Sequence, residues 1–183
     1  MIRHRLDQRS AGLLLHPTSL AGPFESGDLG PSAHALIDFV AKSKLKFWQM
    51  LPVVPAGPGF SPYASTSVFA GNQSLISLEQ LQTDGLLAAD DPALAPAAPK
   101  DRADLGAAHT RREGALRRAY ERCRASSEQW QHVEAHRGRF DFWLDDFALF
   151  SAIKRQRGGE DFLRWPEPLR LRDAGALEAF RQE

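Results

Sequence analysis

The chain has 183 residues, of which 43% are hydrophobic, enough for one hydrophobic core and an additional insertion. Its formal net charge at pH 7 is zero, which argues against a nucleic-acid-binding protein, because such proteins usually carry a basic surface stripe. Cys123 is the only cysteine, which excludes an intramolecular disulfide and fits a reducing compartment.

The first predicted element is a strand over residues 12–16, a short apolar run that Pro17 closes. The run is too short for an export signal or a transmembrane span, so a cytoplasmic protein is expected. The following residues, 17–30, are rich in glycine, proline and serine and predict a loop. His16, at the junction, either contacts a ligand or is a core histidine bonded to the backbone.

Residues 31–43 are predicted to form an amphipathic helix, because apolar residues recur there at helical spacing after a proline suited to a first turn. Asp28 is predicted to cap this helix, and a place at the rim of a ligand site is the alternative. Residues 47–54 form a second apolar run next to prolines and predict a second strand. Strand, helix and strand make a βαβ unit with parallel strands and a right-handed crossover.

The loops that leave these two strands are expected to lie on the same side of the molecule, because loops at the carboxyl ends of strands build the active face of a βα-barrel. In the second loop, residues 55–71, glycines permit unusual backbone angles and prolines stiffen the path. Aromatic rings there lie beside hydroxyl groups, which suits a sugar ring; a structural loop with its aromatic side chains in the core is the alternative. The residues concerned are Phe60, Ser61, Tyr63 and Ser65.

The second half of the chain is predicted to be mainly helical. Residues 88–99 are rich in proline and predict an extended connection, and helical spacing begins at residue 103. Cys123 is expected on an apolar helix face as inert packing. Further along, the sequence predicts an apolar helix over residues 142–153, a helix end at 157–159, a break at 165–166 and a last helix from Asp173.

Three polar clusters in this half have spacings that chemistry uses, but each has a simpler interpretation. His132 and His136 are four residues apart, as zinc ligands can be, yet no third ligand is evident and a solvated helix face is favoured. Asp141, Asp145 and Asp146 include a pair on one helix face, but a first-turn acid and two solvent-facing carboxylates are favoured over acid–base chemistry. No metal and no cofactor is therefore predicted. The last cluster, Arg111, Arg112, Arg117 and Arg118, predicts a solvated helix face.

Several long sequence blocks resemble the 4-alpha-glucanotransferases, a family also called amylomaltases or disproportionating enzymes. The resemblance covers residues 11 to 172, and its order and spacing are specific. The blocks are residues 12–20 (GLLLHPTSL), 48–52 (WQMLP), 61–65 (SPYAS), 69–72 (FAGN), 143–150 (WLDDFALF) and 165–170 (WPEPLR).

The resemblance implies an α/β fold, the N-terminal part of a TIM (β/α)8 barrel with its first βαβ unit, followed by a mainly helical insertion. Residues 1–84 would start the catalytic barrel, and residues 85–183 would form the insertion. The implied activity is transfer of α-1,4-glucan segments to another glucan or glucose by a retaining two-step mechanism. The implied partners are maltooligosaccharides.

The resemblance also implies the substrate-binding residues. Tyr63 would line the sugar site, with Ser61 and Ser65 shaping its loop, while Phe60 stands where the family usually has an acidic residue and Gln73 where it usually has proline. The family's catalytic carboxylates lie on later strands, so they are expected beyond residue 183 and the chain alone is expected to be inactive. A non-catalytic glucan-binding module or a helical scaffold is the alternative.

Overall fold

The structure is a computed structural model that describes residues 9–98 and 101–182. Pro99, the last residue of the predicted extended connection, lies outside them. The described residues form two short strands and seven α-helices. They are β1 (Gly12–Leu14), α1 (Pro31–Lys42), β2 (Phe47–Gln49), α2 (Leu78–Thr83), α3 (Leu105–Ala125), α4 (Ser127–Arg137), α5 (Asp141–Gln156), α6 (Glu167–Arg170) and α7 (Ala174–Gln182).

The two strands are adjacent and parallel, which confirms the predicted pairing. Leu13 lies opposite Trp48, and the ladder continues past β1, where the Leu15 N–H donates to the Gln49 carbonyl at 3.0 Å. Both strands are shorter than predicted, because Pro17 starts a 3-10 turn and Pro52 has no N–H to continue a ladder. Helix α1 joins them, as its apolar spacing predicts.

Helix α3 forms the core of the first compact unit, which runs to Gln131. Small side chains at helical spacing let neighbouring backbone approach it closely, and the buried cluster contains Leu78 and Leu87 together with alanines of α3. Cys123 is 8% exposed, in agreement with its predicted packing role. The buried positions of α3 are Ala108, Arg112, Ala115, Ala119 and Cys123.

The second compact unit begins at His132 and contains α5, α6 and α7. Its buried side chains are Ile153 and Trp165, and the Trp165 ring lies 5.3 Å from that of Phe150. Helix α5 ends at Gln156 before two glycines with positive φ, and Asp173 caps α7 by accepting the Ala176 N–H at 2.9 Å. Both helix boundaries agree with the sequence predictions.

The described residues are thus mainly helical with one small parallel sheet, and the barrel inferred from the sequence stays a prediction. The predicted boundary between residues 84 and 85 also stays a prediction; the compact units of this chain divide between residues 131 and 132. Of the helices in the described ranges, none combines the length and the apolar character that crossing a bilayer requires.

Candidate functional site

Two loops leave the carboxyl ends of the parallel strands and contact each other. We call residues 15–30 the β1 loop and residues 50–77 the β2 loop. The Leu29 N–H donates to the Leu75 carbonyl at 3.0 Å, which joins the ends of the two loops. The Trp48 indole N–H donates to the Leu15 carbonyl at 2.8 Å, which ties β2 to the start of the β1 loop. The two loops therefore form one continuous surface beside the sheet.

Tyr63 lies on a tight turn of the β2 loop with its ring in solvent. The Gly57 N–H donates to the Ser61 carbonyl at 2.9 Å, and the Tyr63 N–H donates to Ser61 Oγ at 3.3 Å. Tyr63 is 73% exposed, so the alternative in which this aromatic residue packs in the core does not apply. The ring is available to a ligand from its exposed side.

The two predicted serines shape the loop through their own hydroxyl groups. Ser61 Oγ accepts the Tyr63 N–H, while Ser65 Oγ donates to the Ser67 carbonyl at 2.8 Å and accepts the Ser67 N–H at 3.2 Å. Such side-chain bonds to nearby backbone are typical of serine in turns. The structure therefore supports their loop-shaping role, and direct sugar contacts stay a prediction.

Phe60 is placed against α3. Its backbone has φ +59°, uncommon for a bulky residue, and follows Gly59 at φ +66°. The Phe60 ring centroid lies 6.1 Å from that of His109 on the first turns of α3, and 39% of the residue stays exposed. Phe60 is thus partly committed to packing, with its sugar contact still a prediction.

His16 caps the 3-10 turn that opens the β1 loop. The Thr18 N–H donates to His16 Nδ1 at 3.4 Å, and Thr18 Oγ1 lies 2.8 Å from the same nitrogen. Nε2 is buried and has no hydrogen-bond partner within residues 9–98 and 101–182. Burial lowers the pKa of the imidazole, and the nearby Pro52 backbone opposes that shift. Of the two interpretations, the structure shows the backbone-bonded one, and the ligand contact stays a prediction.

The arginines of α3 form the predicted solvated face only in part. Arg111 donates to the Glu25 carboxylate through Nε at 2.7 Å and also through Nη2, and Arg118 donates to both carboxylate oxygens of Asp91 at 2.7 Å. Arg117 and Arg118, with 61% and 43% of their side chains exposed, match the expectation. The prediction is wrong for Arg111 and Arg112, because carboxylates of residues 25 and 28 pack onto the helix.

Arg112 is the most buried of these side chains, at 1% exposure, and it contacts both loops. Its Nη2 donates to Asp28 Oδ2 at 2.9 Å and to the Ser26 carbonyl at 3.3 Å in the β1 loop. Its Nε donates to the Ile76 carbonyl at 3.2 Å in the β2 loop. We call Arg112 and these three partners the loop clamp. The sequence contains a signal for the burial of Arg112, because residue 112 lies on the same face of α3 as Ala108 and Ala115.

The same contacts correct the prediction for Asp28. Asp28 Oδ1 accepts the Gly30 N–H at 2.9 Å, and Gly30 is itself the N-cap of α1, with no side chain bonded to the first turn. Asp28 therefore lies two residues before the cap and serves as the buried counter-charge of Arg112.

Glu25 and Asp91 make the stability of the first unit depend on pH. Hydrogen bonding to Arg111 lowers the pKa of Glu25, and hydrogen bonding to Arg118 lowers that of Asp91. A lowered carboxylate pKa gives stability that is fully present above the ordinary value and is lost as pH falls through the folded-state value.

We therefore expect the thermal unfolding temperature to fall below about pH 5, with a shallower fall in Glu25→Gln. Circular dichroism melts between pH 3 and pH 7 measure this. Glu128→Gln, which removes an exposed carboxylate on α4 within the first unit, is the control and should keep the parent's slope. An unchanged slope in Glu25→Gln would contradict the assignment.

The remaining polar clusters are engaged in exposed contacts of the second unit. His136 Nδ1 lies 3.1 Å from the His132 carbonyl oxygen on α4. Asp145 pairs with Arg137 at 3.0 Å, and Asp146 pairs with Arg172 at 2.7 Å. These contacts agree with solvated helix faces, and the described residues include no cluster of three or more metal-ligating side chains.

A shallow cavity of about 520 Å³ lies between residues 18–26 on one side and residues 96–98 and 101–103 on the other. None of the five predicted substrate-binding residues lines it. The candidate site is therefore the exposed surface of the β2 loop around Tyr63, where the ring lies beside its hydroxyl-bearing turn.

Comparison with known proteins identifies relatives along nearly the whole chain. A family model described as 4-alpha-glucanotransferase matches residues 15–183. The 4-alpha-glucanotransferase of Thermus thermophilus is 42% identical over 171 residues, covering 92% of this chain and 33% of the relative. A chloroplastic/amyloplastic 4-alpha-glucanotransferase of Solanum tuberosum is 37% identical, covering 96% of this chain and 31% of the relative.

A solved structure agrees with these matches. The amylomaltase of Streptococcus agalactiae, in complex with acarbose, superposes with a TM-score of 0.88 at 30% identity and covers 96% of this chain. The match extends over 36% of the amylomaltase chain. This chain thus spans about a third of the length of the relatives it matches.

Proposed function

This chain belongs to the 4-alpha-glucanotransferase family, and from that premise we propose that it is the glucan-positioning part of an enzyme that transfers α-1,4-glucan segments. The proposed reaction passes a segment of one maltooligosaccharide to a hydroxyl group of another glucan or of glucose. The activity is proposed for a protein of the relatives' length, in which β1, α1 and β2 form the first βαβ unit of a TIM barrel. The proposed location is the cytoplasm.

The observation that carries this proposal is the exposed ring of Tyr63 on the loop that follows strand β2. The turn that carries the ring is closed by the Gly57 N–H, which donates to the Ser61 carbonyl, and by the Tyr63 N–H, which donates to Ser61 Oγ. Because the backbone of the turn is already fixed, an aromatic ring there loses only side-chain freedom when it packs against the apolar face of a sugar. Tyr63 thus orients the donor glucan, with no part in proton transfer.

The two-step retaining reaction requires a nucleophilic carboxylate and a carboxylic acid that first protonates the leaving oxygen. The nucleophile forms a glycosyl-enzyme bond as the glycosidic bond breaks, and the acceptor hydroxyl then replaces it, giving its proton to the second group. In the β1 loop, Glu25 and Asp28 are held by Arg111 and Arg112. We therefore assign no residue of this chain to either catalytic role.

The second candidate is a non-catalytic glucan-binding module. It is favoured by the fact that Glu25 and Asp28 of the β1 loop are paired with arginines. Incubation of maltotriose with a protein of the relatives' length that contains this chain separates the candidates. Glucose and longer maltooligosaccharides in the products would support the transfer reaction. Binding without turnover by that longer protein would favour the non-catalytic module.

We expect Tyr63→Ala to weaken binding of maltohexaose by about tenfold, because it removes the exposed ring that the sugar stacks against. Isothermal titration of the 183-residue chain measures this. Tyr63→Phe keeps the ring and should bind within about twofold of the parent.

Val68→Ala is the matched control, since Val68 is 80% exposed on the same loop and lacks a ring. It should bind as the parent does. Equal binding by Tyr63→Ala and the parent would remove Tyr63 from the site, and equal losses in both variants would point to a general loosening of the loop.

A further inference from the structure

We propose that Arg112 is a positioning residue that sets the orientation of Tyr63 by holding the β1 loop and the β2 loop against α3. The inference rests on the proposed function, because it concerns the same glucan-binding surface. It assigns to a helix of the second half of the chain a direct part in shaping that surface.

The loop clamp has the geometry that such a role requires. One planar guanidinium reaches the Asp28 carboxylate and the Ser26 carbonyl on one side and the Ile76 carbonyl on the other, all within 3.3 Å. These partners belong to loops that follow different strands. Because the fork of donors in arginine is rigid, a single side chain fixes the separation of the two loops.

Helix α3 also holds the β2 loop on both sides of Tyr63. Before Tyr63, the Phe60 ring packs at 6.1 Å from His109. After it, Ser74 Oγ lies 3.4 Å from His109 Nδ1, and the Ile76 carbonyl accepts from Arg112. The segment from Phe60 to Ile76, which carries Tyr63, thus has both ends attached to one rigid helix.

The burial of the clamp favours a geometric role over a purely stabilising one. Arg112 is 1% exposed and its Nη1 has no partner among the described residues. A buried ion pair often stabilises a fold no better than apolar residues of equal size would. What apolar residues cannot supply is the set of directed bonds that locks the two loops in one arrangement.

The first test is amide hydrogen exchange of Arg112→Lys, which keeps the charge but loses the planar fork. We expect amides of the β2 loop between residues 57 and 76 to exchange at least about fivefold faster than in the parent. Arg118→Lys is the matched control, because Arg118 lies on the same helix as Arg112 but donates two hydrogen bonds to Asp91, which belongs to neither loop. Its faster exchange should stay near residues 91–95.

His109→Ala provides a second variant that disturbs the same attachment without touching a buried charge. His109 is exposed, so this variant should fold. Faster exchange of the amides around Tyr63 is expected here too. Parent-like exchange of that segment in Arg112→Lys, with retained circular dichroism, would overturn the proposal. Faster exchange in His109→Ala alone would then assign the attachment of the loop to His109.

The second test is a double-mutant cycle with Tyr63→Ala, measured as maltohexaose binding. Arg112→Lys should weaken binding by about fivefold when Tyr63 is present and by less than about twofold when it is absent, because its effect passes through the ring. Equal losses in the two backgrounds would show that Arg112 does not act through Tyr63. If the parent itself fails to bind maltohexaose, the proposed function fails, and hydrogen exchange alone still decides the positioning role.

Discussion

Asp28→Ala is expected to lower the free energy of unfolding by about 3–5 kcal/mol, because it leaves the buried Arg112 guanidinium without a counter-charge. The side chains are 8% and 1% exposed, so water cannot replace the lost carboxylate. The Gly30 N–H loses its acceptor in the same change. Urea denaturation followed by circular dichroism measures the effect.

Asp146→Ala is the matched control, since it removes the same side chain from an ion pair of 2.7 Å to Arg172. That pair is largely exposed, so its loss should cost about 0–1 kcal/mol. Asp28→Leu combined with Arg112→Met should recover most of the stability lost in Asp28→Ala, because no charge stays buried. Similar losses for Asp28→Ala and Asp146→Ala would show that the loop clamp is not buried in solution.

Gly57→Ala should weaken maltohexaose binding by at least about tenfold and destabilise the chain by about 1–3 kcal/mol. A Cβ at residue 57 would overlap the Ala64 carbonyl oxygen and carbon, which belong to the backbone and cannot rotate away. The turn must therefore open, and the Gly57 bond to Ser61 that supports Tyr63 breaks. Calorimetric titration and urea denaturation measure the two effects.

Gly71→Ala tests whether any added methyl group in the β2 loop has the same result. Nothing lies within 4 Å of a Cβ built at Gly71, and its φ is not in the left-handed region. This variant should bind maltohexaose as the parent does. Tight binding by Gly57→Ala would mean that the closed turn under Tyr63 is not needed for the glucan site.

The βαβ start was predictable because its signals are local. Residues 12–16 and 47–54 are apolar runs bounded by prolines, and residues 31–43 have helical spacing. Parallel pairing then follows from the intervening helix. The exposed position of Tyr63 also agrees with a loop stiffened by proline and glycine, but only the resemblance of residues 61–65 to a family block indicates a sugar contact.

The loop clamp was not predictable from local signals, because Asp28 precedes Arg112 by 84 residues. Charge patterning alone places an Arg-rich helix in solvent, and only the packing of the β1 loop onto α3 changes that. The alanines at positions 108 and 115 indicate the buried face, and an arginine between them requires a carboxylate partner. Helical periodicity thus predicts that Arg112 has a buried carboxylate partner, but it does not indicate which of the 23 acidic residues is that partner.

The spacing of the arginines along α3 has a consequence for evolution. Adding or removing one residue between Arg112 and Arg118 would rotate one guanidinium by about 100° about the helix axis relative to the other. Asp28 and Asp91 could then no longer both be reached from the same helix. Insertions and deletions among members of this family are therefore expected outside α3, around residues 101–104 and 126. Between the arginines of α3 we expect them to be selected against.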